Sequence, residues 1–330
     1  MQGLAGMRSA TAARLRASRL TPHLLLLFTY LIWSVNPVLV KIGLQHVHPL
    51  PFVAVRFTIG GHMLMAIAAI TRRAIWPPPP LRVLLPTALI GIVANQLGFT
   101  YSVQLTTVVN LSILMGLSPM LATGLLILVA HRRPPGRRLA ALLIGFAGVV
   151  LVVAATARGA GGSLLGDAIA LVTPVTWAVY LVLAADAIRR HGALVLMAWT
   201  MVVGAACFWP MAGVDVALQG LGASWMDALG PVFFAGLLSS GLGYGLYFWA
   251  LPRLGITETA MYSYLQPPMG AGLGHLLLGE SLTVFQLIGA AAVLVAAYLG
   301  SWSRAGRSPA RAASAEERQD GDTGDPPGRS

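Results

Sequence analysis

Charge is what this chain has least of. Charged residues make up 10% of its 330 residues, against roughly a quarter in a soluble domain. Acidic residues are the scarcer kind, 11 against 22 basic ones. There is one lysine, Lys41, and one cysteine, Cys207. A single cysteine excludes an intrachain disulfide and any multi-cysteine metal site. The chain also lacks His-Glu-x-x-His and a Gly-x-Ser-x-Gly turn, so the clustered nucleophile, base or metal ligands of an enzyme site are missing. No cofactor motif stands in their place. Gly270-Ala271-Gly272 superficially resembles a dinucleotide fingerprint, but no strand precedes it and it lies inside an apolar run.

What is present is apolar. Hydrophobic residues reach 56%, and mean hydropathy is +0.75. A soluble core of this size has no polar shell to cover that surface, whereas a bilayer removes the need for one. The net charge of +11 would suggest nucleic acid in a soluble protein. Here the arginines fall between apolar runs rather than on a patterned face, which points to a lipid bilayer and away from nucleic acid.

A spanning helix needs roughly 20 mostly apolar residues. Ten segments qualify, near 22–44, 50–70, 81–103, 106–130, 138–156, 166–185, 192–212, 231–250, 256–278 and 282–302. Alternating β-barrel patterns are absent, and helices then remain the way to satisfy the backbone in lipid. The expected fold is an all-α integral membrane protein with ten transmembrane helices. Arg8 to Arg19 followed by an apolar run has the outline of a signal peptide. No small-residue cleavage pattern follows, so it reads as a retained first span. Arginines cluster in alternate loops: Arg8 to Arg19, Arg72 to Arg82, Arg132 to Arg138, Arg189 and Arg190, Arg253, and Arg304 to Arg311. Arg158 is the clear exception. The positive-inside rule then puts both termini in the cytoplasm of a multi-pass cell-membrane protein. Residues 1–20 form a cytoplasmic N-terminal segment, and 303–330, rich in Arg, Glu, Asp, Gly and Pro, a disordered tail.

The spans repeat. At one constant shift Trp33 meets Trp177, Val38 meets Val182, Leu50 meets Leu194 and Gly60 meets Gly204. Gly91, Leu97 and Gly98 meet Gly236, Leu242 and Gly243, and Pro119 corresponds to Pro267. The repeats are expected at 21–156 and 157–302. Five spans per copy is an odd number, so the second copy enters from the opposite side. Two inverted halves have two near-equivalent packings, one open to each side of the membrane, with a substrate near the midplane between them.

The stretch Trp33-Ser34-Val35-Asn36-Pro37, then Lys41 and Arg56-Phe57, resembles the opening of an EamA domain. Leu278-Gly279-Glu280-Ser281-Leu282-Thr283, with Gln286, Ile288 and Gly289 beyond, resembles its close. The resemblance is to ten-span EamA carriers of the drug/metabolite transporter superfamily, over about residues 20–302. It implies a secondary transporter, commonly an exporter of amino acids or other small metabolites. Multidrug efflux or import is the rival within transport, and a membrane scaffold the rival outside it. The first repeat departs from the pattern with Arg132 where a glutamate is expected. The second has Ala185 and Thr200 where the first has Lys41 and Arg56, so the halves are expected to differ in function.

Among intramembrane ionisable residues, Arg56 is either an anchor for a carboxylate or a structural pair. Lys41 and Glu280 lie nearer the outer surface and read as a snorkelling cation and a hairpin fixer. Glu258 suits a helix first turn. His62 and His275 read more as hydrogen-bonding side chains than as proton relays, and no mid-membrane acid is picked out for proton coupling. Proline-broken spans in both halves point to a midplane site. The candidate substrate-binding residues are Trp33, Asn36, Arg56, Asn95, Gln96, Asn110, Trp177, Tyr180, Ser240, Tyr244, Tyr264 and Gln266. Aromatic rings there suit apolar parts of a small-molecule substrate, and amides its polar groups. Spans five and ten are the most uniformly apolar, facing either lipid or a second copy in a homodimer.

Overall fold

The computed structural model describes residues 2–71, 73–118, 120, 121, 124, 125 and 136–301. Pro119, Arg132 and the 303–330 tail, which carry a repeat match, a departure and an expected disordered segment, lie outside the described residues. So does the Glu258 side chain.

Among the described residues there is no strand, as lipid-facing apolar sequence dictates. The helices are α1 (Gln2–Gly43), α2 (Pro49–Ile70), α3 (Leu81–Ala88), α4 (Asn95–Leu105) and α5 (Val108–Met115). They continue as α6 (Gly136–Ala157), α7 (Leu164–Ala170), α8 (Val172–His191) and α9 (Ala193–Gln219). The last four are α10 (Trp225–Phe233), α11 (Tyr244–Met261), α12 (Gln266–Leu278) and α13 (Val284–Ser301). A π-helical stretch, Leu89–Ala94, joins α3 to α4, and a second, Phe234–Gly243, joins α10 to α11.

Seven of these runs are long and apolar enough to cross a membrane: Leu20–Gly43, Pro49–Ile70, Leu81–Leu105, Leu139–Ala157, Leu164–His191, Ala193–Gln219 and Trp225–Leu254. Each overlaps a segment expected from hydropathy. Over the expected 106–130, 256–278 and 282–302 the described helices are shorter. The 256–278 segment is divided by a 3-10 turn, Tyr262–Leu265, ahead of Pro267. The proline ring removes a backbone donor and ends regular α-helix there.

Packing is built on small residues, because lipid supplies no hydrophobic drive between helices and close backbone approach must supply contact instead. A Cβ added at Gly148 of α6 would lie 2.8 Å from the Gly289 carbonyl, and one at Gly289 of α13 would lie 2.9 Å from the Gly148 carbonyl. Helices α6 and α13, the expected spans five and ten, therefore pack on each other. They leave Leu143, Phe146, Leu287 and Ile288 exposed as lipid-facing surface. On the other side of the molecule α2 meets the second π-helical stretch, where a Gly60 Cβ would lie 2.6 Å from that of Ser240. Two buried apolar clusters result. One is centred on Phe57, Tyr180, Met201 and Phe208. The other is centred on Phe52, Val103, Leu111 and Val293. Each draws residues from both halves of the chain, so the core lies between the halves rather than within each.

Candidate substrate cavity

The two π-helical stretches sit at positions the repeat aligns, Gly91 and Gly236, and both prepare a polar site. A π turn widens the helix and leaves backbone groups without their usual partners. In the second stretch the Ser239 carbonyl accepts the indole N–H of Trp33 at 3.0 Å. Gly243 makes room, since a Cβ there would fall 2.7 Å from that indole nitrogen. Gly91 does the same for the Tyr180 ring, 2.3 Å from an added Cβ. Immediately after the first π stretch, the Asn95 amide donates to the Thr173 carbonyl at 2.9 Å and to the Thr176 hydroxyl at 3.0 Å. The Gln96 amide then donates to the Asn95 side-chain oxygen at 2.9 Å.

These groups border a cavity inside the bundle. Its accessible space is about 110 Å³, where 10–15 Å³ in that measure admits one water. It therefore holds a group of waters or a small solute. Eight of the twelve residues chosen from sequence line it: Trp33, Asn36, Arg56, Asn95, Gln96, Trp177, Tyr244 and Gln266. Ser240 stands just behind, accepting from Arg56 Nε at 3.0 Å. Tyr180 is fully buried behind Trp177, ring centroids 5.2 Å apart, with its hydroxyl 3.8 Å from Met197 Sδ. Tyr264 turns to α13 and donates to the Ala297 carbonyl at 2.6 Å. Asn110 is fully buried and does not line the cavity.

The lining also includes Tyr30, Phe99, Met115, Ser118, Thr173, Ser239, Tyr247 and Ser263. Three of these were within reach of sequence. Tyr30, Phe99 and Tyr247 stand three residues from Trp33, Gln96 and Tyr244, on the same helix faces. Tyr30, Trp33, Tyr244 and Tyr247 form an aromatic wall, with Trp33 centroids 5.1–5.5 Å from the three tyrosines.

Arg56 is the cavity's cation. It is 3% exposed and has no carboxylate within ion-pair distance among the described residues. Its Nη1 has no hydrogen-bond partner, and neither do Asn36 Oδ1 and Gln96 Oε1. The guanidinium is flanked by the Phe57 and Phe99 rings at 5.1 and 5.6 Å. A buried charge without a partner is strongly unfavourable. Arg56 lines the cavity, and a guanidinium fork matches the geometry of an anionic group.

One end of the bundle is tied shut. Lys41, about 7.5 Å along α1 from Asn36 at helical rise, donates to Glu280 Oε1 and to the Thr106 carbonyl, both at 2.8 Å. Glu280 also accepts from the backbone N–H of Val108 and Val109, at 3.0 and 2.9 Å. A carboxylate is favourable at that helix start. The two side chains expected to act separately thus form one latch between the halves. They line a separate recess with Gln45, Thr107 and Ser281, not the cavity. His62 is exposed and bonded to its own helix at the Thr58 carbonyl. His275 is exposed too, its Nδ1 2.8 Å from the Glu280 carbonyl.

The acid that sequence reading passed over is Asp167 in α7. It is fully buried and meets Thr106 Oγ1 at 2.5 Å, Thr156 Oγ1 at 2.6 Å and Asn110 Nδ2 at 3.1 Å. It stands at the second residue of the expected 166–185 span, away from mid-membrane, where no acid was picked out.

Family comparison gives this arrangement its class. The model of the EamA-like transporter family matches residues 20–154 and again 164–302. The chain belongs to that family and is a multi-pass membrane transporter. It is 26% identical over 280 residues to an uncharacterized transporter of Archaeoglobus fulgidus, covering 84% of this chain and 96% of that one. It is also 26% identical over 296 residues to a "Probable amino-acid metabolite efflux pump" of Salmonella typhimurium, covering 87% and 97%. One solved crystal structure superimposes with a TM-score of 0.60 at 21% identity, over 87% of this chain and 98% of that one, a likeness of fold alone.

Proposed function

We propose that this protein is a ten-span carrier of two inverted five-helix repeats. It exports small carboxylate-bearing metabolites, amino acids or close relatives of them, from the cytoplasm by alternating access. The observation that carries this reading is Arg56, a buried guanidinium that lines the cavity and has one donor without a hydrogen-bond partner. Arg56 holds the substrate carboxylate. Asn36 and Gln96, each with an unmatched oxygen, take its donor groups. The wall of Tyr30, Trp33, Tyr244 and Tyr247 takes its apolar or cationic part, since aromatic faces accept either. The two family matches, one per half, support the repeat, and the efflux-pump names of relatives support the direction. In this orientation both termini are cytoplasmic, and the Lys41–Glu280 latch closes the outer side of a cell-membrane carrier.

The test is counterflow in liposomes. Purified protein is loaded with a labelled pool of amino acids and short organic acids, beside Arg56→Ala and Asn36→Ala. Selective counterflow by the wild type, lost in Arg56→Ala while the variant remains monodisperse, is the expected result. Counterflow untouched by Arg56→Ala would remove Arg56 from the site. Counterflow of drug-like cations in place of carboxylates would favour multidrug efflux.

A further inference from the structure

We propose that Asn95 is a positioning residue that makes the cavity prefer an α-amino carboxylate to the α-keto acid of the same carbon skeleton. It does so by fixing which end of the Gln96 amide is left for the ligand. The ligand's place in this cavity is taken from the carrier reading above, on which this rests.

A side-chain amide has two unlike ends, one a donor of two N–H groups and the other an acceptor. Which end lies where follows from the hydrogen-bond network around it. Here the network starts at groups that cannot reverse. The Thr173 carbonyl only accepts, so the Asn95 atom 2.9 Å from it is Nδ2. The Thr176 hydroxyl lies 2.7 Å from the Val172 carbonyl and 3.1 Å from the Thr173 carbonyl. Both are acceptors, so its single hydrogen stays within its own helix. Its oxygen is left to accept, and it takes an Asn95 N–H at 3.0 Å. With both N–H groups used, Asn95 offers Gln96 only its oxygen. Gln96 answers with Nε2, at 2.9 Å. Gln96 Oε1 is the end that remains.

That oxygen is buried without a hydrogen-bond partner, and Gln96, 5% exposed, lines the cavity. An unpaired acceptor inside an apolar bundle is unfavourable. A ligand that brings an N–H to it removes the penalty. One that brings a carbonyl oxygen sets two acceptors against each other. Sites built to bond a substrate N–H reject the analogue lacking it for this reason. Asn36 Oδ1 is unpartnered as well, but no hydrogen bond among the described residues holds that amide. It turns to suit either ligand and carries no preference.

Asn95 and Gln96 open α4, whereas Thr173 and Thr176 belong to α8. The polarity of Gln96 is therefore set only where the two halves of the chain meet. If Asn95 were no more than a tie between those helices, its loss would weaken every ligand alike.

The test is calorimetric titration of the full chain in nanodiscs at neutral pH with matched pairs: alanine and pyruvate, valine and its α-keto acid, phenylalanine and phenylpyruvate. Each pair shares a carboxylate and a side chain and differs at the α-carbon. The wild type should bind the amino acid of a pair about thirtyfold more tightly than its partner. In Asn95→Ala the Gln96 amide is free to turn Nε2 to the ligand. The α-keto acid should then bind more tightly than it binds the wild type, and the ratio should fall to about fivefold or less. Structural damage does not improve a ligand. Gln96→Met, which removes both ends of the amide, should narrow the ratio as well. If Asn95→Ala does not assemble, Asn95→Leu, which keeps the volume, takes its place under the same criteria. Equal binding of both members by the wild type overturns the role of Asn95 and leaves a carboxylate carrier standing. A ratio that persists in the Asn95 variant overturns it too, as does one that narrows only because the amino acid binds more weakly. Binding of no member of any pair by the wild type overturns it together with the carboxylate reading.

Discussion

Two polar regions lie within this apolar bundle, and they differ in how their hydrogen bonds are completed. Around Asp167 the partners are internal: Thr106, Thr156 and Asn110 reach the carboxylate, and Gln286 completes the Asn110 amide. Around Arg56 they are not. Arg56, Asn36 and Gln96 all line the cavity, and Arg56 Nη1, Asn36 Oδ1 and Gln96 Oε1 have no hydrogen-bond partner. Buried polar groups are almost always satisfied, so a set left open together marks a place where something else completes it. The contrast separates a polar cluster that ties helices from one that receives a solute.

The strongest way to break that contrast is to cut into the closed cluster. Asn110→Leu removes a donor from a buried carboxylate and the partner of Gln286. It should lower stability by roughly 3 kcal/mol, seen as an earlier loss of the monodisperse peak on heating. An unchanged profile would mean the cluster is not a tie. Next in size is the open region. Arg56→Ala removes a charged anchor worth about 2 kcal/mol, so apparent affinity for a counterflow substrate should fall about thirtyfold, with Arg56→Lys in between. Smaller again is Gly289→Val, which pushes a side chain toward the Gly148 carbonyl. Overpacking of this kind costs about 1–2 kcal/mol and should show as lower thermal stability with the cavity intact. The smallest effect is expected of Trp33→Phe, which loses only the hydrogen bond to the Ser239 carbonyl. About 1 kcal/mol would weaken counterflow affinity roughly fivefold. A much larger loss would make Trp33 a direct substrate ligand rather than part of the wall.

Much of the cavity could be read in the sequence because of what lipid forbids. Asn36, Asn95 and Gln96 stand out in apolar runs, and Gln266 ahead of a proline pair inside a span, where an amide needs a reason to be present. Arg56 stands out more. Asn110 carried the same signal and lies elsewhere, in the Asp167 cluster, because depth along a helix says nothing about which way a side chain faces. Tyr180 and Tyr264 likewise matched the aromatic pattern but turn to Trp177 and to the Ala297 carbonyl. The π-helical stretches left no mark in composition, since they are changes of hydrogen-bond register rather than of residue type.

The sequence by itself determined that the chain is helical and membrane-embedded, because hydropathy and the loss of water in a bilayer leave the backbone no other economy. It also determined the family, through motifs whose order survives low identity. Only the tertiary structure decided which polar residues meet. Lys41 finds Glu280, Thr106 finds Asp167, and Arg56 finds Ser240 but no carboxylate. Each of those pairs is far apart along the chain, and a helix fixes the spacing of its own side chains but not the identity of its neighbours.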